Sequence, residues 1–126
     1  LDPGEEIIAS VLKIAKDEDI RFAEISAIGA VGRAVFGLYD LEEQKYHSLT
    51  FVQPLELVSL NGNLSRKDGE PYLHLHAAFA DEKGAVIGGH LNEAVISATC
   101  EMFIKIFDID MGRRISEQTG LNIFDI

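Results

Sequence analysis

Residues Asn61–Leu91 run NGNLSRKDGEPYLHLHAAFADEKGAVIGGHL. Tyr72 to Ala80 is apolar and aromatic, Asp81-Glu82-Lys83-Gly84 carries turn residues, and Ala85 to Leu91 is a second short apolar run. Two such runs joined by a short turn are neighbouring strands. The stretch holds three of the chain's four histidines: His74, His76 and His90. Side chains alternate along a strand, so His74 and His76 share one face. His90 follows Gly88-Gly89, whose missing side chains let backbone or ligand come close. The three imidazoles are therefore placed to meet.

Working outward, Asn61-Gly62-Asn63 and Arg66-Lys67-Asp68-Gly69 carry turn signals. Before them, Leu55 to Leu60 is a strand, and Pro54 separates it from another at Tyr46 to Val52. Asp40 to Gln44 is an acidic turn. Arg33 to Tyr39 and Arg21 to Ile28 alternate as strands, joined by Gly29-Ala30-Val31-Gly32. That glycine-rich link has neither the GxGxxG pattern nor a Walker lysine, and a strand follows it, so it is a tight turn or bulge. At the start, Pro3 suits the beginning of a helix and Glu5 and Glu6 its first turn. Ile8, Val11, Leu12 and Ala15 recur at helical spacing, giving a helix from about Glu5 to Asp19.

On the other side, Ala94 to Phe107 can be wound as a helix, yet it alternates and is β-branched, which favours a strand. The tail after Asp108 is polar, broken by Gly112 and Gly120, and ends in the apolar LNIFDI, which would pack on the sheet or on a neighbouring subunit.

The 126 residues fit one domain, residues 1–126, and 47% hydrophobic content supplies a core. No apolar run approaches the roughly 20 residues of a membrane span. The first residue is Leu1 rather than methionine, as in a processed or trimmed chain. The single cysteine, Cys100, cannot form an internal disulfide, which fits a reducing, cytoplasmic compartment. With 21 acidic against 11 basic residues the net charge is −10, a surface that DNA repels unless basic residues gather on one face. The only basic pairs are Arg66-Lys67 and Arg113-Arg114, which read as ordinary surface.

Two imidazoles on one strand face can share a cation, a third from the next strand completes a facial set, and an open fourth position is the arrangement of a catalytic zinc. Imidazole also suits nickel, copper and iron. The alternative is a pair of surface histidines on a solvated strand. His47 belongs to a different strand and reads as structural or surface. Glu101, in an apolar strand, is a candidate metal ligand, a partner orienting a histidine, half of a buried ion pair, or a side chain facing water. Glu56 poses the same question, and Arg33 is a further candidate to line the site. Cys100 has no cationic neighbour in sequence and reads as an inert buried thiol.

LDPGEEI, the run Glu24–Asp40, LELVSLNGNLS, DGEPYLHLHAAFAD and GAVIGGHL together resemble the plants-and-prokaryotes-conserved domain, from Leu1 to about Ile106. GEPYLHLH followed by GGHL is the most specific part. The resemblance implies a single α/β (α+β) domain with a largely antiparallel sheet and a packed N-terminal helix, assembled as a homotrimer. It makes Ala94–Phe107 a strand. It implies a divalent metal, zinc first, on His74, His76 and His90, with an interaction or regulatory role toward itself or other proteins. The fold is also similar to acetolactate decarboxylase, which suggests as an alternative a metal-dependent lyase or hydrolase on a small carbonyl compound. Plant members carry an AT-hook that does the DNA binding, and short relatives are labelled DNA-binding by extension. This chain has no RGRP-like segment.

Overall fold

The computed structural model describes residues 1–126. Helix α1 spans Ile7–Asp17 and is followed by four long strands: β1 (Ala23–Asp40), β2 (Lys45–Lys67), β3 (Glu70–Ala80) and β4 (Val86–Ile106). All pairings are antiparallel, and the order β1-β2-β3-β4 closes on itself as a barrel. A short hairpin of β5 (Arg113–Ile115) and β6 (Asn122–Phe124) makes a second, two-stranded sheet. The single domain, the antiparallel sheet and the one N-terminal helix match the sequence expectation, and Ala94–Ile106 is strand.

The glycine-rich link is a bulge, as expected, while the breaks expected at Pro54 and Asn61–Asn63 are absent. Gly29–Gly32 lies inside β1, where the register shifts between Ala27 and Gly29 and between Val31 and Arg33. The buried set passes from Ala23, Ile25, Ala27 and Val31 to Ala34 and Phe36, changing parity once, as one extra residue in a strand requires. Pro54 does not break β2. It sits beside the second shift, beyond the reach of β3, where its missing N–H costs no rung.

Asn61-Gly62-Asn63 is likewise strand, paired with Leu75 and its neighbours. A Cβ on Gly62 would stand 2.0 Å from the His74 carbonyl oxygen, so this glycine marks close backbone approach rather than a turn.

The helix is shorter than expected. Leu1 to Glu6 runs beside β4 with a turn at Pro3-Gly4, Gly4 N–H donating to the Ile96 carbonyl and Ile96 N–H to the Glu5 carbonyl. Glu6 is the N-cap, its carboxylate accepting from Ile8 N and Ala9 N, so Pro3 and Glu5 precede the helix. Ile7, Val11 and Ala15 enter one core with Phe36, Leu57, Leu60, Leu64, Leu75 and Phe79. Burying each large side chain there contributes about 1.5–3 kcal/mol.

The seams of the barrel differ in length. β1 and β2 pair from Ala23–Leu64 out to Asp40–Lys45, whereas β3 and β4 pair only from His76–His90 to Ala80–Val86. The apolar tail packs on this same molecule through Arg113.

Candidate metal centre

Leu75, Ala77 and Phe79 point into the barrel, which turns His74 and His76 outward. Leu91 points inward and turns His90 outward. The register then sets His76 directly opposite His90, with His74 two residues along β3. The ring centroids of His74 and His76 are 5.2 Å apart, those of His74 and His90 5.2 Å, and those of His76 and His90 5.4 Å. One nitrogen from each ring lies within 4.8 Å of the others. Gly89 makes the approach possible from the β1 side, since a Cβ there would be 2.5 Å from the Gly37 carbonyl oxygen. The glycine before His90 thus admits backbone, not ligand.

Burial, reinforced by His90, Arg113 and His76, lowers the His74 pKa to about 4. Burial and His76 lower that of His90. Both rings are therefore neutral at pH 7, the form that offers a lone pair to a metal. Three imidazole nitrogens within reach of one point fit a divalent ion by donor chemistry. No carboxylate orients the rings.

Tyr46, from the arm that β1 and β2 extend past the barrel, stands edge-on to His90 with centroids 6.0 Å apart. Its hydroxyl lies 2.6 Å from Asn92 Oδ1 and 3.2 Å from the His90 carbonyl oxygen, as donor to these acceptors. Burial raises the Tyr46 pKa, so it remains a donor at neutral pH.

A cavity of about 550 Å³ opens beside the histidines. Leu38, Tyr39 and Tyr46 form one wall, and Tyr72 with Leu121, Asn122 and Ile123 of the tail forms the other. No Asp, Glu, Lys or Arg lines it. Asn122 Nδ2 donates to the Tyr72 hydroxyl at 3.2 Å, while Asn122 Oδ1 is buried without a partner.

The tail is held by Arg113, which donates to Ser65 Oγ at 2.7 Å, Asn63 Oδ1 at 2.7 Å and the Asn122 carbonyl at 3.0 Å. Its guanidinium lies 4.6 Å from the ring centres of both Tyr72 and Phe124.

Other candidates lie elsewhere. Glu101 is exposed and shares a groove with Glu56, Ile28 and Thr99, away from the histidines. It faces water. Arg33 pairs with Glu93 at 2.5 Å. His47 pairs with Glu43 at 3.2 Å in an exposed group with Asp40. Cys100 is buried, and burial raises its pKa, which fits an inert thiol.

The sequence reading missed Tyr46, Tyr72, Asn122 and Arg113 as parts of the site. Of these only Tyr72, two residues before His74, carried a positional hint.

Residues 1–108 match the model of the Plants and Prokaryotes Conserved (PCC) domain. Among solved structures, the chain is similar to a metal-containing protein from Archaeoglobus fulgidus, with 38% identity and a TM-score of 0.93 over 100% of this chain and 89% of that one. It is also similar to a protein from Bacteroides thetaiotaomicron provisionally named DNA-binding, with 26% identity and a TM-score of 0.96 over 99% of this chain and 87% of that one. In sequence it is 31% identical over 104 residues to the bifunctional protein GlmU of Synechococcus sp. (strain JA-3-3Ab), using 81% of this chain. The chain spans only 16% of that relative's length. No helix is long and apolar enough to cross a membrane.

Proposed function

Because the chain belongs to the Plants and Prokaryotes Conserved domain family, we propose that it is a trimeric metal protein of that family. It holds a divalent ion on His74, His76 and His90, and receives a small molecule at the coordination position left open. The convergence of three imidazole nitrogens within 4.8 Å beside a 550 Å³ cavity carries this reading. Zinc is the first expectation from the donor set. The 38% identity to a metal-containing protein supports a metal without naming it. The role is interaction or regulation through the occupied centre.

The homotrimer is supported by an unpartnered apolar strip on the outer face of β1, β2 and β4, where Ile28, Val58 and Phe103 are 56%, 46% and 75% exposed. Light scattering should give about three times the 13.9 kDa of one chain.

A second reading, a metal-dependent lyase or hydrolase on a small carbonyl compound, is favoured by the cavity itself, which a flat interaction site would lack. A bound divalent ion would supply Lewis-acid polarisation of an oxygen donor. Tyr46 would orient His90 through its backbone carbonyl and ring edge, and the Leu38 and Leu121 walls would limit water.

Direct DNA binding is not part of the proposal. Net charge is −10, and six of the eleven basic side chains (Lys13, Lys16, Arg21, Arg33, Arg66 and Arg114) are in ion pairs.

Elemental analysis of protein purified without a histidine tag tests the centre. About one metal per chain is expected in the wild type and in His47→Ala, with loss in His74→Ala and His90→Ala. Equal retention in all four would sink it. Retention of duplex DNA at low salt, where phosphate contacts are strongest, would overturn the exclusion of DNA.

A further inference from the structure

The histidines belong to the part of the chain that the family model covers, residues 1–108. The outer wall of their cavity does not: Leu121, Asn122 and Ile123 come from the hairpin that follows. This wall is fixed in place. Arg113 spends its guanidinium on Ser65, Asn63 and the Asn122 carbonyl, with Tyr72 and Phe124 against it. The Arg113 charge is therefore already committed.

The lining itself carries no charged side chain. With imidazole donors and no carboxylate or thiolate among them, a bound divalent ion keeps its full positive charge and becomes the only charge a ligand meets. An anionic oxygen donor is the complement. The remaining surface is apolar where Leu38, Leu121 and Ile123 face the space, so a ligand gains by filling it with hydrocarbon. A cavity of about 550 Å³ accepts a small organic molecule.

We propose that the C-terminal hairpin is the ligand-selecting wall of the histidine centre, and that it selects small monocarboxylates with an apolar body. The carboxylate occupies the open metal position and the hydrocarbon lies against Leu121 and Ile123. This rests on the metal reading above, and the test separates the two.

The full chain is loaded with cobalt(II), whose visible absorption reports its ligands, and titrated with acetate and with benzoate. In the wild type both acids shift the spectrum, and benzoate binds at least tenfold tighter than acetate. Leu121→Gln keeps the cobalt stoichiometry and acetate affinity, while the benzoate preference shrinks at least fivefold. Leu121→Ala, which only removes apolar surface at a partly exposed position, gives a smaller loss in the same direction. If cobalt loads but neither acid shifts the spectrum, or the preference is the same in all three proteins, the hairpin proposal is overturned and the metal centre stands. If cobalt does not load in the wild type, both readings fall.

Discussion

Arg113 donates a 2.7 Å hydrogen bond to Asn63 Oδ1, and Asn63 is the register partner of His74. The tail is thus tied to the strand directly beside the first histidine. Arg113→Ala removes three hydrogen bonds and leaves the fully buried Ser65 hydroxyl without its donor. The expected loss is about 1.5–3 kcal/mol in chemical denaturation. Hydrogen exchange should rise in residues 112–126 while β1 to β4 stay protected. Arg113→Lys should rescue little, since one ammonium cannot reproduce a planar fork between two rings. Full rescue by lysine would show that only the charge matters.

Gly89 predicts a contrast between two glycines. Gly89→Ala places a Cβ 2.5 Å from the Gly37 carbonyl oxygen, so β1 and β4 must separate beside His90. It should cost about 1–3 kcal/mol and weaken metal binding in a chelator competition. Gly32→Ala meets only Ser97 Cβ at 3.5 Å, ordinary contact, and should leave both properties unchanged. Similar effects from the two substitutions would contradict the close approach.

The histidines make the metal-free protein acid-sensitive. His74 is lowered from 6.5 to about 4 and His90 is lowered too. Between about pH 6.5 and 4 the unfolded chain binds more protons than the fold, so stability is complete above this window and declines as pH falls through it. Urea midpoints of chelator-treated protein at pH 7 and pH 5 should differ more in the wild type than in His74→Gln. Equal pH dependence in the two would remove His74 as a cause.

Glu6 joins helix to barrel. Its Oε1 accepts from Ile8 N at 3.0 Å and from Ala94 N at 3.1 Å, and its Oε2 from Ala9 N at 2.7 Å. Glu6→Ala is expected to lower stability by about 1–3 kcal/mol, losing a cap and orphaning a strand amide. Glu5→Ala, whose carboxylate accepts only from the exposed Asp2 amide, serves as the comparison and should change the thermal midpoint little.

The histidine centre was legible because its signals are local. His74 and His76 are two apart on one strand, and a short turn brings His90 back opposite them. Gly29–Gly32 was read as a tight turn or bulge and is a bulge, but the breaks at Pro54 and Gly62 were misread because glycine and proline carry two meanings. A turn needs their backbone angles, whereas a bulge or a crowded strand needs their missing Cβ or N–H. Both leave the same letters in the sequence. The barrel's closure was not legible either, since it depends on β1 pairing with both β2 and β4 across long separations. Arg113 escaped for a similar reason. In sequence it is half of a basic pair in a polar tail, and its partners Asn63, Ser65 and Tyr72 lie about 40 to 50 residues away.

The unequal seams give the histidines a mechanical meaning. β3 and β4 are joined over the shortest run, and the pair His76–His90 is its last rung. The proposed ion, gripped from both strands at that rung, would act as a rivet on the barrel's shortest seam. Occupancy and barrel opening would then be one equilibrium, the closed form gaining about 4.1 kcal/mol when free metal exceeds its dissociation constant a thousandfold. The ion's departure and the loosening of the barrel wall would be the same event, visible in the exchange of amides between Ala77 and Gly89.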